Sequence, residues 1–303
     1  MARATFEGWL PEEKDSSVIT RINAISAVES LARRLPMNST TKSFPRSGGM
    51  DVSEVAKGAA YGEDTSANDE ITLTAKKFGK AIRIAEEDID DSVADILNAK
   101  KTDWASSYAR FIDNACLATT GDLGVGVPFV SVYRAVTTAG YGGYVANANR
   151  IQTGGDVTYA NLSETLGLAE ASDSFDEANT VVIAHPSFKG AFRGMVDDNG
   201  RPIFVEGLAG TPSTLFGYTV RWSAGARTSA TATSRPAGNP ILVVGARDAL
   251  MLGVRSGPES VVIDGKDGAS ALTDETILKV RARRAFGVAY PDAFGVLEIT
   301  AAP

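Results

Sequence analysis

From Asp88 to Leu117 the sequence contains neither glycine nor proline. Along this run Ile89, Val93, Ile96, Leu97, Trp104, Tyr108, Phe111, Ile112 and Ala115 recur with the period of one helix face. Glu86, Glu87, Asp88, Asp90 and Asp91 crowd its start, where the positive end of a helix dipole favours acids. At ~1.5 Å per residue the pattern predicts a rod of about 45 Å, against the usual ~11–12 residues of a helix. A rod of that length acts as a spine, and the rest of the chain has to pack along it.

Around it the pattern is mixed. Ser16 and Ser17 precede Val18, Ile22, Ile25, Val28, Leu31 and Leu35, which predicts an amphipathic helix with Arg33 and Arg34 in its last turn and Pro36 as its stop. Residues 40–62 are rich in Ser, Gly and Thr and read as loop or exposed hairpin. Ile71, Leu73 and Ala75, then Phe78, Ile82 and Ile84, follow the two-residue period of strands. Together, residues 50–84 predict a long two-stranded excursion, which is marginal alone in water and so needs a surface to lie on. A Gly/Tyr/Asn-rich segment runs to about Gly155, and a helix is predicted after Thr158 on Leu162, Leu166 and Ala169. A short buried strand at Val181-Val182-Ile183 and a helix entered through Pro186 follow, with Phe188, Phe192 and Met195 on one face and Asn199-Gly200 as its close. Further strands are expected at 215–222, 241–245, 249–254, 259–263, 276–289 and 293–299, with a Ser/Thr/Ala-rich loop at 225–240. The fold class is α+β, without the regular alternation of a doubly wound sheet.

The bulk numbers exclude several classes. The 303 residues are 44% hydrophobic and 22% charged, as in ordinary globular chains. A formal net charge of −7 argues against a surface devoted to gripping phosphates. Cys116 is the only cysteine, so no internal disulfide forms. Residues 1–14 carry Glu7, Glu12 and Glu13 without an apolar run, unlike a signal peptide. No stretch reaches the roughly 18 apolar residues of a membrane helix, and the expected setting is aqueous.

Catalytic and metal motifs are weak throughout. His185 is the only histidine, so a Ser–His–acid triad would have to use it, with Ser187 or Cys116 as nucleophile. Its place beside Pro186 points instead to helix entry. Cys116 sits on the apolar side of the spine, with no neighbour in sequence to lower its pKa. Asp88-Ile89-Asp90-Asp91 lacks the glycine and terminal glutamate of a calcium loop. Gly121 to Gly126 fits no phosphate-binding fingerprint and follows a helix, so it reads as a turn. Lys279, Arg281 and Arg283 alternate along one strand and project from a single face, opposite Leu278, Val280 and Ala282. They read either as an intersubunit ion-pair row, which the net charge favours, or as a contact with DNA.

The order of elements and several local stretches resemble one family. The stretches are Leu73–Lys80 leading into Ile84–Asp88, Arg110–Ala115, Val182–Phe188, Asp198–Ile203, Thr214–Val220, Val280–Ala289 and Pro291–Phe294. They are similar, in order and over almost the whole chain, to tailed-phage major capsid proteins, especially those of actinobacteriophages, whose fold is named after phage Hong Kong 97. This resemblance implies an N-terminal arm with an amphipathic helix over 1–45 and an extended β-hairpin loop over 50–84. It also implies a peripheral domain from 85–124 and 271–303 with the spine helix, and an axial domain over 125–270. The loop at 225–240 would be one of the axial loops at a capsomer centre.

The implied function is self-assembly into hexamers and pentamers of an icosahedral shell around double-stranded DNA, inside a virion assembled in the host cytoplasm. Enzymatic activity, cofactors, metals and membranes are not expected. Implied partners are further copies of the chain, scaffold and portal proteins, a decoration protein, and DNA without sequence specificity. Many relatives carry a cleaved scaffolding segment; a chain that opens on the arm implies a separate scaffold or earlier removal. A few relatives join a loop Lys to a neighbour's Asn, and Lys57, Lys76, Lys77 and Lys80 lie in or near the loop without one being singled out. The alternative with the same fold is an encapsulin-type shell enclosing a cargo enzyme.

Overall fold

The structure is a computed structural model that describes residues 26–47, 52–63, 69–90, 95–140, 144–196, 200–202, 204–205, 212–263 and 274–300. In chain order it has α1 (Ala27–Leu31), β1 (Arg33–Pro36), β2 (Thr41–Arg46), β3 (Asp69–Thr74), β4 (Lys76–Ala85), α2 (Glu86–Asp90), α3 (Ile96–Leu117) and α4 (Val132–Thr137). Then come β5 (Arg150–Thr153), α5 (Tyr159–Glu170), β6 (Thr180–Ala184), α6 (Phe188–Gly194), β7 (Phe204–Val205), β8 (Thr214–Leu215) and β9 (Tyr218–Trp222). The chain closes with β10 (Ile241–Ala246), β11 (Leu250–Ile263), β12 (Glu275–Val288) and β13 (Phe294–Ile299). Three sheets result: β1-β11-β12-β4, β5-β13-β10-β6-β9-β8-β7, and the hairpin β2-β3.

Contacts divide the chain into two compact units. One includes Gly79–Ser106 and Pro258–Arg281; the other, larger, includes Ala24–Phe78, Ser107–Gly257 and Ala282–Pro303. Within the first, Arg281 pairs with Glu259 at 2.9 Å and Arg83 with Glu275 at 3.3 Å.

The larger unit is built on the seven-stranded sheet. Its central strands, TVVIA in β6, ILVVGA in β10 and FGVLEI in β13, are buried at every position. Near-continuous β-branched and apolar runs of this kind suit strands covered on both faces. Thr158 caps α5 by accepting from the Asn161 amide. Leu162 and Ala169 of α5, with Phe188 and Phe192 of α6, join Val182, Val244 and Leu297 in one apolar cluster. Phe192, Phe204 and Trp222 stack there at centroid distances of 5.6 to 6.0 Å.

The structure corrects several expectations. The spine begins at Ile96, because the Asp95 carboxylate accepts from the Asn98 amide and opens a new helix after the short α2. At ~1.5 Å per residue α3 is about 33 Å long. The N-terminal helix does not reach Leu35: it ends at Leu31, and Arg33–Pro36 pair in parallel with Met251–Val254. Leu35 is buried in both readings, and only the sheet edge offered by β11 decides between helix and strand. Residues 1–25 of that predicted arm lie outside the described residues. In the excursion, β2 and not a later segment pairs with β3, from Thr41↔Thr74 to Arg46↔Asp69, while β4 joins the four-stranded sheet. The two strands predicted between 249 and 263 are one, since Gly257-Pro258 sits inside β11 without breaking it. Helix α4 and strand β5 were missed in the glycine-rich segment. Helix α6 stops at Gly194, and Asn199 lies outside the described residues.

Strand β13 and helix α5 approach closely at Gly295. A Cβ on Gly295 would lie 2.2 Å from the Thr165 carbonyl oxygen, whereas one on Gly167, in the same helix, meets nothing within 4 Å. Gly295→Ala is expected to destabilise the subunit by about 1–3 kcal/mol through overpacking, and Gly167→Ala to stabilise it by about 0.5–1 kcal/mol. Urea unfolding of unassembled subunits measures both; equal midpoints would contradict this packing.

Candidate functional site

Two adjacent polar residues in the buried half of α3 organise the surfaces that the larger unit presents. Asp113 is 2% exposed, and its carboxylate accepts from the Ser26 and Ser223 hydroxyls and from the Ala27 and Val28 amides at 3.0 and 3.1 Å. Burial pushes its carboxyl pKa up, against the pull of these four bonds toward the charged form. Asn114, fully buried, donates to the Gly225 and Arg227 carbonyls at 3.1 and 2.8 Å. Its own carbonyl accepts from Ser229 Oγ at 2.8 Å and the Thr233 amide at 3.0 Å. The Ser/Thr/Ala-rich loop is therefore bolted to the spine. Further bonds from Thr120 to the Ser229 carbonyl, from Ser229 to Ala118 and from Ala232 to Gly126 complete the attachment.

A second buried centre is Glu298 in β13, 3% exposed. It accepts from Tyr133 at 3.0 Å, Arg150 at 2.6 and 3.0 Å, Gln152 at 3.2 Å and Asn239 at 2.7 Å. The Arg150 guanidinium also lies 5.1 Å from the Tyr133 ring centroid. Burial alone would raise the Glu298 pKa, but the bonds from Asn239 and Arg150 hold it below the usual carboxylate range. The network joins α4, β5, the end of the 225–240 loop and β13.

The basic strand keeps its predicted alternation: Leu278, Val280 and Ala282 are buried, Lys279 is exposed, and Arg281 and Arg283 are half-buried. Arg281 is already committed to Glu259 of the same chain, with Nε and Nη2 both 2.9 Å from one carboxylate oxygen. Sequence reasoning missed Arg284, which continues the buried register 278, 280, 282 and is 5% exposed. It donates to Glu29 at 2.7 Å and to the Ser256 carbonyl, and Tyr108 donates to the same Glu29 oxygen at 3.0 Å. A charged residue in an apolar register was the signal that an acid had to come to it.

Lys57 lies in an exposed turn beside Gly58, whose φ is +87°, and Lys76, Lys77 and Lys80 are exposed on β4. Val52 and Tyr61, on either side of Lys57, are 97% and 86% exposed.

His185 stands at the entry of α6, where its Nδ1 lies 2.7 Å from Ser187 Oγ and accepts from the Ser187 amide at 3.2 Å. Burial and then the Arg227 charge lower its pKa to about 4. Such a ring resists the imidazolium state that a triad passes through. Cys116 is fully buried, and its thiol is pushed far up by burial and by the Asp113 charge. Among the described residues no cluster of His, Cys, Asp and Glu is arranged to hold a metal ion, and no helix is long and apolar enough to cross a membrane.

The sequence profile of the phage capsid family matches residues 8–299. Solved structures of similar fold include a chain of Microbacterium phage Oxtober96, with 19% identity, 97% of each chain covered and a TM-score of 0.69. The capsid of an empty GTA particle, computed with C5 symmetry, shares 19% identity over 98% of each chain at a TM-score of 0.72. A chain of Mycobacterium phage Adephagia shares 16% identity over 100% of each chain at 0.68. No curated protein sequence matches.

Because the Glu298 pKa is lowered in the fold, its contribution to stability is present above the ordinary carboxyl range and is lost as pH falls through it. Glu298→Gln is expected to cost about 1–3 kcal/mol at pH 7, with the gap from the parent chain narrowing below roughly pH 4. Urea midpoints measured across pH 3–7 test this, and a gap independent of pH would contradict the charge assignment.

Proposed function

Since this chain belongs to the phage capsid family, we propose that it is the major capsid protein whose copies assemble as hexamers and pentamers into an icosahedral shell enclosing double-stranded DNA. The observation that carries this reading is the agreement of profile and fold over essentially the whole chain. The C5 symmetry in which the similar GTA capsid was computed is consistent with five-fold assemblies of such a fold. Shell proteins act through association free energy: each copy contributes modest contacts, and closed symmetry multiplies them.

In this reading residues 1–45 form an arm and 50–84 an extended loop; both reach neighbouring copies, while β1, β2, β3 and β4 within them stay in the subunit's own sheets. Residues 85–124 and 271–303 form the peripheral domain that packs around local symmetry axes, and 125–270 the axial domain that closes capsomers. The loop at 225–240, held by Asn114, is suited to present fixed backbone at a capsomer centre. Lys279 and Arg283 serve neighbours' acids, with Arg281 already paired to Glu259. The acidic balance of −7 lets packaged DNA slide without strong phosphate contacts. Scaffold and portal proteins complete the set of partners, assembly takes place in the host cytoplasm, and no catalytic step is assigned to the chain.

Deleting residues 53–68 is expected to leave a folded subunit that forms no shells. A sizing column and negative-stain electron microscopy of the chain, alone and with its scaffold, measure the outcome; shells of normal size from the deletion variant would overturn the loop assignment.

A further inference from the structure

The mostly exposed residues 52–63 lie in the chain between β2 and β3, so the anchoring of those two strands bears on where they are presented. A two-stranded ribbon alone is marginally stable and free to swing. Here the final pair of the ladder is Arg46↔Asp69. Arg46 grips the Asp69 carboxylate in a two-pronged contact, Nε and Nη2 each at 2.7 Å from a different oxygen. The remaining arm, Nη1, donates to the Ala289 carbonyl at 2.6 Å, just past the end of β12. One planar guanidinium thus ties both hairpin strands to the closing strand, a task that suits a rigid fork of donors. The Arg46 side chain is 14% exposed and that of Asp69 41%, so the guanidinium is largely covered while the carboxylate side of the pair faces solvent.

A second observation fixes the same joint. A Cβ on Gly287 of β12 would lie 2.6 Å from Leu73 Cδ2 and 3.0 Å from Ile71 Cδ1. The apolar face of β3 therefore rests directly on Gly287, where a Cβ would press on the ends of the Leu73 and Ile71 side chains. Both contacts hold the base of the hairpin against β12 and the residue that follows it.

We propose that Arg46 is a positioning residue for assembly: with Asp69, Ala289 and the Gly287 contact it fixes the departure angle of the extended loop, and hence where the loop meets the next copy. The proposal rests on the reading of that loop as the arm that reaches a neighbour.

The test uses the full chain in three variants: Arg46→Ala, Arg46→Lys and deletion of 53–68. Hydrogen exchange on unassembled Arg46→Ala subunits is expected to speed up about tenfold in 41–46 and 69–74, where a charge-assisted tie is lost, and to stay unchanged in β6 and β10. Shell yield should fall about tenfold, or shell diameters spread into irregular forms, since misplaced contacts fail to close. Arg46→Lys, which keeps the charge but not the fork, should fall between, and it decides the matter if the alanine variant does not fold. Shells of parental yield and diameter from either Arg46 variant, or unchanged exchange in the hairpin, overturn the proposal. If the deletion itself leaves shells intact, the neighbour-reaching reading is what fails. If the deletion abolishes shells while both Arg46 variants assemble normally, only the role of Arg46 fails.

Discussion

A carboxylate sealed inside a protein is costly unless nearly every lone pair is used, and Asp113 meets that condition with two hydroxyls and two backbone amides. Those four donors come from the start of α1 and from the segment after β9, which are distant in sequence from α3 and from each other. Meeting the carboxylate forces both onto the end of the spine. Asn114 then carries the constraint onward through four more bonds to the 225–233 segment. The larger unit is arranged around this pair: move the helix end, and the N-terminal segment and the long loop lose their anchor together.

The seven-stranded sheet supplies rigidity in a different way. Its central strands offer apolar side chains to both faces, and the single acid among them, Glu298, is satisfied by five hydrogen bonds from four side chains. Fully satisfied polar centres of this kind fix one arrangement where apolar packing alone would tolerate several. For a shell protein this matters directly. Association among many copies rewards contacts only if every copy presents its loops at the same angle, and a sheet pinned by such a buried polar centre helps to hold one arrangement.

Much was legible in the sequence because it follows from local period and from burial. The alternation through Leu278, Val280 and Ala282, the Thr158 cap and stripe of α5, and the apolar run of β6 all survived in the structure. The errors share one cause. Arg33–Pro36 carry a pattern that suits the last turn of a helix, but the edge of β11 recruits them as a strand. Gly257-Pro258 reads as a break, yet it lies within a long strand where a missing amide is tolerated. Arg284 was missed, because only the arrival of Glu29 makes its burial possible.

The sequence by itself determined the class of fold, the presence of a long spine, the apolar strands of the core and, through ordered local likenesses, the family. Those properties reside in spacing and composition, which a chain carries before it folds. Tertiary structure alone decided which strand pairs with which, and which charges are buried or spent within the chain. Each of these depends on a partner far away in sequence: Asp113 on Ser26 and Ser223, Glu298 on Arg150 and Asn239, Arg46 on Asp69 and Ala289. No local pattern encodes such a pairing, because its free energy exists only once the chain has closed the loop between the two groups.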